Sequence, residues 1–544
     1  MTTLYSKKAD SVRLSFQLMT CAEPPQLVIE TIKSLIVTKA AEDEILIIDN
    51  NNTKKELYEP LANFCQNLDP KLNVHFYHID KISGFKAGAL NLALELMDAN
   101  CSHIVVVDSD YQALPQARFE IVHAIEQFPE HSLLQFPQFY RDAGMKQVHG
   151  ELNHYFNHHI YRQFNQQRVL STGTYAVLHR EDLISLGGWS GASITEDAQL
   201  GVLMHKRGLK SRFIPKVIAT GLLPMTLSDL VKQRQRWIYG NMQVLSGYFA
   251  IHKAHPELPS AASFKQQLAD FRAHFSQLSA WVNFTGIFIL LQAITVLVMV
   301  SALLSQAAID MSRLLLPLFI VYAGYGVFLS RRLWAYLSDN APLAKPNEAQ
   351  ATPTVAQRLK VWALHLNFWE FGALSWLPVL WGRDKPFICT PKQVDTQSNF
   401  ALLINNLKAL PKSILILNLI TAISVAPFSP LYSPVLFVLA VSICVLKLWS
   451  ATLILSNYKK VDEINDTNKI ELTETAEYQY QAKPTIPERF GYRPSYEQLI
   501  AANSEPFINL EKLGHSGSYK RAKSAVKQDF DHDINAEPDQ AVNF

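Results

Sequence analysis

A long stretch without charge is the feature that most constrains how this chain can fold. Between His274 and Asp310 the sequence has no charged residue and no histidine. About 20 apolar residues are enough to cross a bilayer as a helix, so the 544-residue chain is predicted to be anchored in a membrane. The chain is 48% hydrophobic and only 18% charged, and the apolar runs concentrate in residues 281–456.

The uncharged stretches predict four membrane-spanning helices. The first is placed near 283–305 and the second over 314–330, where Arg331 and Arg332 close the uncharged run. Prolines divide a third stretch, 413–446, into two helices joined by a tight turn. The predicted divisions are a cytosolic domain over 1–270, helices one and two within 281–330, a cytosolic loop over 331–412, helices three and four within 413–456, and a polar tail over 459–544.

Charge in the loops predicts the orientation of these spans. Basic residues gather after the second helix, so the positive-inside rule puts the 331–412 loop and both termini in the cytosol. Within that loop, 361–382 is apolar but contains His365 and Glu370. It is therefore predicted to lie at the cytosolic interface, with a fifth span as the alternative. The polar composition of 459–544 predicts a largely disordered tail.

The first 270 residues alternate between apolar runs and helical patterns. Such alternation predicts a mostly parallel sheet with helices on both faces. Ligands of such sheets bind at the carboxyl ends of the strands. Strands are predicted over 13–21, 44–49, 73–79, 103–108 and 132–139, and helices near 25–37, 55–67, 85–98 and 115–128.

Charge and cysteine usage exclude several other classes of protein. A net charge of +2 gives no reason to expect a nucleic acid partner. The five cysteines are scattered and form no CxxC pair, which argues against a disulfide framework or a thiolate zinc site. The start of the sequence lacks the pattern of a signal peptide, so the N-terminal half is predicted to be cytosolic.

Two carboxylates at a strand end are the first candidate site. HIVVVDSD puts Asp108 and Asp110 directly after a buried strand, and Mg²⁺ or Mn²⁺ prefers such hard oxygen ligands. A nucleoside diphosphate needs a divalent cation of this kind to offset its charge. Lys86, in GFKAGALN, could add positive charge beside a phosphate. Either motif alone is more often a solvated loop.

Two later motifs complete the candidate site. In ITEDAQLG, Thr195 is predicted to cap a helix whose first turn holds Glu196 and Asp197. Asp197 is the candidate general base for a sugar transfer that inverts the anomeric centre. QRQRW holds Gln233, Arg236 and Trp237, which could bind a diphosphate and stack on a sugar ring. The alternatives are a helix that balances its own dipole and a helix anchored at lipid headgroups.

In their order along the chain these motifs resemble the family 2 glycosyltransferases of the cellulose synthase and hyaluronan synthase type. The resemblance implies an α/β GT-A (Rossmann-like) catalytic domain followed by an α-helical transmembrane region. It also implies a UDP-sugar donor, Mg²⁺ or Mn²⁺, inversion at the anomeric carbon and export of the polymer through the membrane helices. A bacterial inner membrane location follows from the same resemblance.

The resemblance also assigns roles to residues. Thr20 and Glu23 match the nucleotide-binding start, although Cys21 and Ala22 replace the usual Tyr-Asn. Further matches are Asp49 for the uracil, Asp108 and Asp110 for nucleotide and metal, Asp197 with Glu196 for catalysis, Gln233 and Arg236 for the diphosphate, and Trp237 with Thr195 for the acceptor. KPFICTPK resembles a gating loop that closes over the nucleotide, in which Thr390 and Lys392 hold matching places.

Three functional hypotheses stay open from the sequence. The first is a processive enzyme that extends a β-linked glycan, with UDP-glucose as the favoured donor, a growing glycan as acceptor and room for an accessory export subunit. The second resembles ceramide glucosyltransferases and adds a single sugar to a membrane lipid. The third is an inert membrane scaffold. A zinc site at His154 and His158, one helical turn apart, is the weakest alternative.

Overall fold

The protein is described here by a computed structural model. It describes residues 12–51, 54–79, 82, 84–141, 146–162, 167–224, 226–248, 263–305, 310–339, 352–381 and 399–477, with side chains as far as Tyr458.

Among its described residues, the N-terminal half contains nine strands, and the five predicted from sequence are confirmed. Four of them begin and end within one residue of the prediction, whereas the strand predicted over 132–139 covers only 133–135. Apolar side chains fill both sides of the sheet, as parallel strands covered by helices require. The strands are β1 (Leu14–Thr20), β2 (Glu44–Asp49), β3 (Val74–His78), β4 (His103–Asp108), β5 (Gln112–Ala113), β6 (Leu133–Gln135), β7 (Ala176–His179), β8 (Ser211–Phe213) and β9 (Ala219–Thr220).

Seven strands form one sheet in the order β3-β2-β1-β4-β7-β6-β8, and β5 pairs with β9. β3, β2, β1 and β4 are parallel, whereas β7 runs antiparallel to both β4 and β6. Four of the six pairings in this sheet are parallel, so the prediction of a mostly parallel sheet is confirmed, with β7 as its antiparallel strand. In its register, Thr20 lies opposite Asp49 and Met19 opposite Asp108. These strand ends consequently share one edge of the sheet.

Helices cover both faces of the sheet and lead toward the membrane. All four helices predicted before residue 130 are confirmed. A π-helix over Tyr155–Arg162 continues the fifth helix. The helices are α1 (Pro25–Thr38), α2 (Lys55–Gln66), α3 (Phe85–Leu96), α4 (Ala117–Gln127), α5 (Lys146–His154), α6 (Arg180–Ser185), α7 (Glu196–Lys206), α8 (Leu227–Gly247) and α9 (Phe264–Leu278).

The C-terminal half is helical throughout its described residues. Its helices are α10 (Gly286–Ser305), α11 (Leu315–Leu337), α12 (Val355–His365), α13 (Trp369–Leu374), α14 (Trp376–Leu380), α15 (Asn399–Ala409), α16 (Ser413–Ser424) and α17 (Pro434–Glu477).

Three of these helices are long and apolar enough to cross a membrane, so the chain is a membrane protein. They cover Gly286–Ser305, Ser312–Leu337 and Pro434–Tyr458. α16, which corresponds to the third predicted span, is too short to cross the membrane alone. It has only 12 residues and would extend about 18 Å, whereas the hydrocarbon core is about 30 Å thick. It forms a pair with α15 that is bent by 76°. Pro411 lies at the bend and cannot continue a helical hydrogen-bond ladder.

The segment predicted over 361–382 is divided among several short helices. None of the helices in its described residues is long enough to cross a membrane. Its carboxylate is paired inside the protein, since Lys447 Nζ donates to Glu370 Oε2 at 2.9 Å and both side chains are buried. α17 continues to Glu477, so the first part of the tail predicted over 459–544 is helical, and the remaining residues lie outside those described. Lys, Glu, Leu and Ile in that part are compatible with a helix.

Candidate active site

A cavity opens at the carboxyl ends of β1 and β4, where the fold class predicts a ligand. Most of the residues that sequence analysis selected lie in its wall, although they come from distant parts of the chain. They are Thr20, Glu23, Lys86, Asp108, Asp110, Thr195, Glu196, Asp197, Gln233, Arg236 and Trp237.

Three selected residues are not seen in this wall. Asp49 is fully buried at the end of β2 and does not line the cavity. Its carboxylate accepts hydrogen bonds from the backbone N–H and side-chain amide of Asn51 and contacts His78 Nδ1 at 2.7 Å. Thr390 and Lys392, with the rest of the predicted gating loop, lie outside the described residues.

The loop after β1 is shaped by its own side chains. Glu23 Oε2 accepts hydrogen bonds from Thr20 Oγ1 at 3.2 Å and from the backbone N–H of Cys21 at 2.6 Å. Ala22 has a φ of 64°, a conformation that residues other than glycine rarely adopt. Its N–H donates to Asn51 Oδ1 at 2.6 Å, which ties this loop to the one after β2.

Lys86 forms the positive wall of the cavity. It lies in the first turn of α3 and donates to Asp108 Oδ1 at 2.6 Å. Burial lowers the pKa of the Lys86 ammonium, but the charges of Asp108, Glu196 and Asp197 outweigh burial and raise this pKa above its ordinary value. The side chain therefore carries a fixed positive charge among three carboxylates.

Asp108 and Asp110 satisfy the chemical demands of a divalent cation that shares its ligands with a diphosphate. Both line the cavity, and Asp110 Oδ2 also accepts a hydrogen bond from the backbone N–H of Leu222 at 3.2 Å. Among the described residues, no group of three or more His, Cys, Asp or Glu side chains is arranged to hold a metal ion. The protein therefore offers two hard oxygen donors here, and the remaining ligands would have to come from the donor substrate.

The acidic turn of α7 closes the opposite wall. The pKa of the Asp197 carboxyl is raised from 3.8 to about 7. Burial is the main cause, and the charge of the neighbouring Glu196 raises this pKa further. Burial likewise raises the pKa of Glu196, against the opposing charge of Lys86. A carboxylate whose pKa lies near the working pH is well matched to general-base catalysis.

Thr195 lies at the start of α7, but the predicted cap is wrong. Its side chain makes no capping hydrogen bond, and its hydroxyl lies 3.1 Å from Ser193 Oγ instead. The Thr195 methyl group faces Gly240 of α8, where an added Cβ would lie 2.4 Å from it. Because no larger residue fits at 240, α8 packs directly on the acidic turn.

Gly173 is a site residue that sequence analysis missed. Its φ is +91°, and a Cβ built there would lie 3.0 Å from Asp197 Oδ2 and 3.7 Å from Lys86 Nζ. The backbone therefore passes beside the candidate base with no room for a side chain. The only local signal is a glycine between two threonines, which is also common in ordinary turns.

A second, smaller chamber adjoins the first. Thr195, Asp197 and Trp237 line both chambers. The smaller one is also walled by Tyr155 and Trp281, whose rings stack with centroids 5.6 Å apart. Sequence analysis missed both aromatic residues, although an aromatic residue five positions before a membrane helix was an available signal. Asp197 thus stands where the two chambers meet.

The histidines considered as zinc ligands have other surroundings. His154 is buried, its ring stacks on Tyr336 at 3.7 Å, and its Nδ1 lies 2.8 Å from Asp339 Oδ2. Tyr336 belongs to α11, so His154 packs at the junction with the membrane helices. The ring of His158 stacks on that of His154 with centroids 5.0 Å apart.

A mixed sheet with a DxD at the end of β4 and an opposing carboxylate defines a GT-A-type glycosyltransferase domain. Two family models match, "Glycosyl transferase family group 2" over residues 103–329 and "Glycosyl transferase family 2" over residues 16–187. Together they cover more than half of the chain. The chain belongs to the family 2 glycosyltransferases, of the cellulose synthase-like type.

Curated relatives agree with this family. A stretch of 170 residues is 28% identical to the UDP-forming catalytic subunit of cellulose synthase from Dictyostelium discoideum, covering 30% of this chain and 16% of that protein. Another of 238 residues is 22% identical to the poly-beta-1,6-N-acetyl-D-glucosamine synthase of Staphylococcus aureus, covering 42% of this chain and 54% of that protein. The chain thus spans about half the length of the staphylococcal relative and less of the other.

Solved structures give weaker likenesses. A mannosyltransferase from Pyrobaculum calidifontis, in complex with GDP-Man and Mn²⁺, has a TM-score of 0.38 and 16% identity, covering 70% of this chain and 92% of that one. S. aureus TarS has a TM-score of 0.31 and 12% identity, covering 51% of each chain. These scores are too low to decide anything about the chain.

Proposed function

We propose that this protein is an inverting glycosyltransferase that uses a UDP-sugar to extend and export a β-linked glycan. The observation that carries the proposal is the place of Asp197, which lines both chambers. The larger chamber has the residues for a nucleoside diphosphate, namely the Lys86 ammonium and the two carboxylates of the DxD. The smaller chamber has aromatic rings on which a sugar can stack.

The proposed reaction is one displacement at the anomeric carbon. The acceptor hydroxyl lies on the side of the smaller chamber and gives its proton to the Asp197 carboxylate. Its oxygen forms the new bond to the anomeric carbon while the bond to the β-phosphate oxygen breaks, and UDP leaves. Because the acceptor attacks from the face opposite the diphosphate, the configuration inverts.

The chain's charges would stabilise the leaving group. Lys86 and Arg236 line the larger chamber, and an arginine can pair with a phosphate through two parallel hydrogen bonds. Asp108 and Asp110 are the residues that would hold Mg²⁺ or Mn²⁺, which when bound would offset the negative charge of the diphosphate. Thr390 and Lys392 would close over the nucleotide, and Asp49 would support the uracil site through the Asn51 loop.

The proposed setting is a bacterial inner membrane with the catalytic domain in the cytosol. Arg331 and Arg332 lie in the last two turns of α11, and Arg358 and Lys360 follow in α12; these basic residues at one end of the second membrane helix support this orientation. UDP-sugars are supplied in the cytosol, whereas the product is needed outside, so export with or without an accessory subunit belongs to the same proposal.

Donor and product are tested together on the full-length protein in lipid nanodiscs. The names of the two relatives differ in their sugar, so UDP-glucose and UDP-N-acetylglucosamine are each supplied with Mn²⁺, with GDP-mannose as the control donor. Released UDP and the length of the labelled product are measured. We expect one UDP-sugar to give an extended glycan, and Asp197→Asn to abolish turnover while UDP still binds.

A membrane lipid as acceptor is the second candidate, and the number of spans favours it. The described part of the chain has three spanning helices, or up to four if the bent pair counts as one. Trp281 of the smaller chamber lies five residues before the first of these helices. A labelled product that stops at one sugar and extracts with lipid would establish this candidate and exclude the processive enzyme.

A further inference from the structure

One arginine beside the active site has no role in the reaction proposed above. Arg234 lies between Gln233 and Arg236 on α8, and its side chain is fully buried. Burying a guanidinium is costly unless it is paired and its donors are satisfied. Its partner is Glu151 of α5, which is also fully shielded from solvent, at 3.1 Å between Nη2 and Oε2.

The donors of Arg234 reach residues of the cavity wall. Nη1 donates to Gln233 Oε1 at 2.8 Å, and Nη2 donates to Tyr140 OH at 3.3 Å. Both Gln233 and Tyr140 line the larger chamber. One buried guanidinium therefore fixes two side chains of the donor site.

The flat face of the same guanidinium supports the acceptor side. Its central carbon lies 4.3 Å from the ring centroid of Trp237 and 5.1 Å from that of Trp281. Contacts of this kind are favourable, and more so when water is excluded. The two indoles lie 6.0 Å apart and both line the smaller chamber. The same guanidinium thus lies against both indoles.

Glu151 connects this arrangement to the membrane side of the protein. Its Oε1 lies 3.4 Å from Nδ1 of His365, the last residue of α12. The His365 ring stacks on Trp281 with centroids 5.5 Å apart. Burial raises the pKa of Glu151, but Arg234 and His365 outweigh burial and hold it below its ordinary value. Glu151 therefore stays ionised as the anchor.

α5, which carries Glu151, packs closely against α12, which carries His365. A Cβ added at Gly150 would lie 2.9 Å from Cγ2 of Val361. The backbone of α5 consequently packs closely against the Val361 side chain of α12. The ring of Tyr336, on the membrane-spanning α11, lies 5.9 Å from that of His365 and extends the contacts into the membrane region.

We propose that Arg234, anchored by Glu151, is a positioning residue that holds Trp237 and Trp281 apart at the acceptor distance. The indoles then keep an acceptor sugar over Asp197, so that the glycosyl group passes to the acceptor instead of to water. This inference rests on the proposed function, since it assumes a transfer reaction. Arg234 and Glu151 themselves contact neither the donor nor the transferred proton, and Glu151→Gln leaves the bonds from Arg234 to Gln233 and Tyr140 in place.

The test compares two products of the full-length protein in nanodiscs. UDP release counts every cleaved donor, and labelled sugar in the glycan or lipid counts only productive transfer. For Glu151→Gln we expect UDP affinity to stay within about twofold of wild type and sugar incorporated per UDP released to fall about tenfold, the effect of losing one strong contact. A folded Glu151→Gln with an unchanged ratio would overturn the proposal, as would a parallel loss of UDP affinity.

Two further variants separate positioning from loss of stability. Asp43→Asn breaks another ion pair, between the buried Asp43 and the half-buried Arg118, at the opposite end of β2 from the cavity, so we expect an unchanged ratio there. If Glu151→Gln does not fold, the double variant Glu151→Gln/Arg234→Gln leaves no unpaired charge and should show the same fall in ratio. A wild-type ratio in the double variant would overturn the proposal.

A measurement that needs no turnover keeps the inference separate from the proposed function. Full-length protein is labelled with 5-fluorotryptophan, and Trp237→Phe and Trp281→Phe assign the two ¹⁹F resonances. We expect both resonances to move in Glu151→Gln and to stay in place in Asp43→Asn. Unmoved resonances refute the positioning role, whereas a wild-type protein that cleaves no donor refutes only the proposed function.

Discussion

The pH dependence of turnover tests whether Asp197 is the base and whether Glu196 tunes it. Asp197 accepts a proton only when it is ionised, so activity should rise with pH through its pKa of about 7. The Glu196 charge is one of the causes that raise this pKa. Glu196→Gln removes that charge and keeps the shape, and it should therefore lower the pKa of Asp197 and extend activity to more acidic pH.

Coulomb's law gives the expected change in the pKa of Asp197 when the neighbouring Glu196 loses its charge. Two like charges about 6 Å apart in a medium of effective dielectric about 20 repel by about 2.8 kcal/mol, or roughly two pH units. Burial remains in the variant, so we expect the acid limb to move down by roughly one to two pH units. At pH 6 the ionised fraction of Asp197 should then rise from about one tenth to between about one half and nine tenths.

The assay is kcat/KM for UDP release and glycosyl transfer, measured between pH 5 and 9 and divided by the plateau value of each variant. Division by the plateau is needed because a less basic carboxylate is also a weaker catalyst. Glu181→Gln is the matched control, since Glu181 is an exposed glutamate in the first turn of another helix, α6. Its profile should overlay that of the wild type.

Two results would refute this reasoning. An acid limb at the same pH in Glu196→Gln would show that the Glu196 charge does not set the pKa of the base. An equal displacement in Glu181→Gln would show that the profile reports overall charge and not the neighbour of Asp197.

Other predictions address the remaining walls of the site. Gly173→Ala should lower kcat at least tenfold, because its Cβ meets Asp197 Oδ2, and should also lower the melting temperature, because a φ of +91° strains any side chain; equal kcat would contradict this. Gly240→Ala should lower the melting temperature measured by scanning fluorimetry, since its Cβ cannot coexist with the Thr195 methyl group. Lys86→Met should weaken UDP binding in calorimetry and move the acid limb to higher pH, because Lys86 lowers the pKa of Asp197. EDTA should abolish turnover and Mn²⁺ or Mg²⁺ should restore it; full activity in EDTA would exclude a metal-dependent reaction.

The strands and the donor wall were predictable because their signals are local. EILIID and HIVVVD are short apolar runs that end in a carboxylate, and the structure has them as β2 and β4. Because parallel strands end at the same edge of a sheet, these carboxylates can be predicted to lie together from the strands alone. DxD, the acidic turn of α7 and QRQRW therefore reached the same cavity, as their order along the chain predicted.

The parts that sequence analysis missed depend on contacts between distant residues. β7 carries only AVLH, and its antiparallel place between β4 and β6 follows from the whole sheet. Glu151 and Arg234 are 83 positions apart, and neither belongs to a pattern that predicts burial. The uncharged run 413–446 has the composition of two spanning helices. In the structure its first helix, α16, is short and is bent against α15 at Pro411, and composition alone does not predict this.

The two chambers differ in origin, and this difference bears on specificity. The larger chamber is walled mainly by strand ends and the turns after them, where ligands of such sheets bind, and α8 adds Gln233 and Arg236. The smaller chamber is walled by the π-helix, α8 and the segment just before α10, and Arg332 of α11 donates to the carbonyl of Ala280 beside Trp281. A change in how the membrane helices pack would therefore alter the acceptor wall and leave the donor wall in place. If the proposed function holds, acceptor choice should accordingly depend on the membrane junction, whereas donor binding should depend mainly on the edge of the sheet.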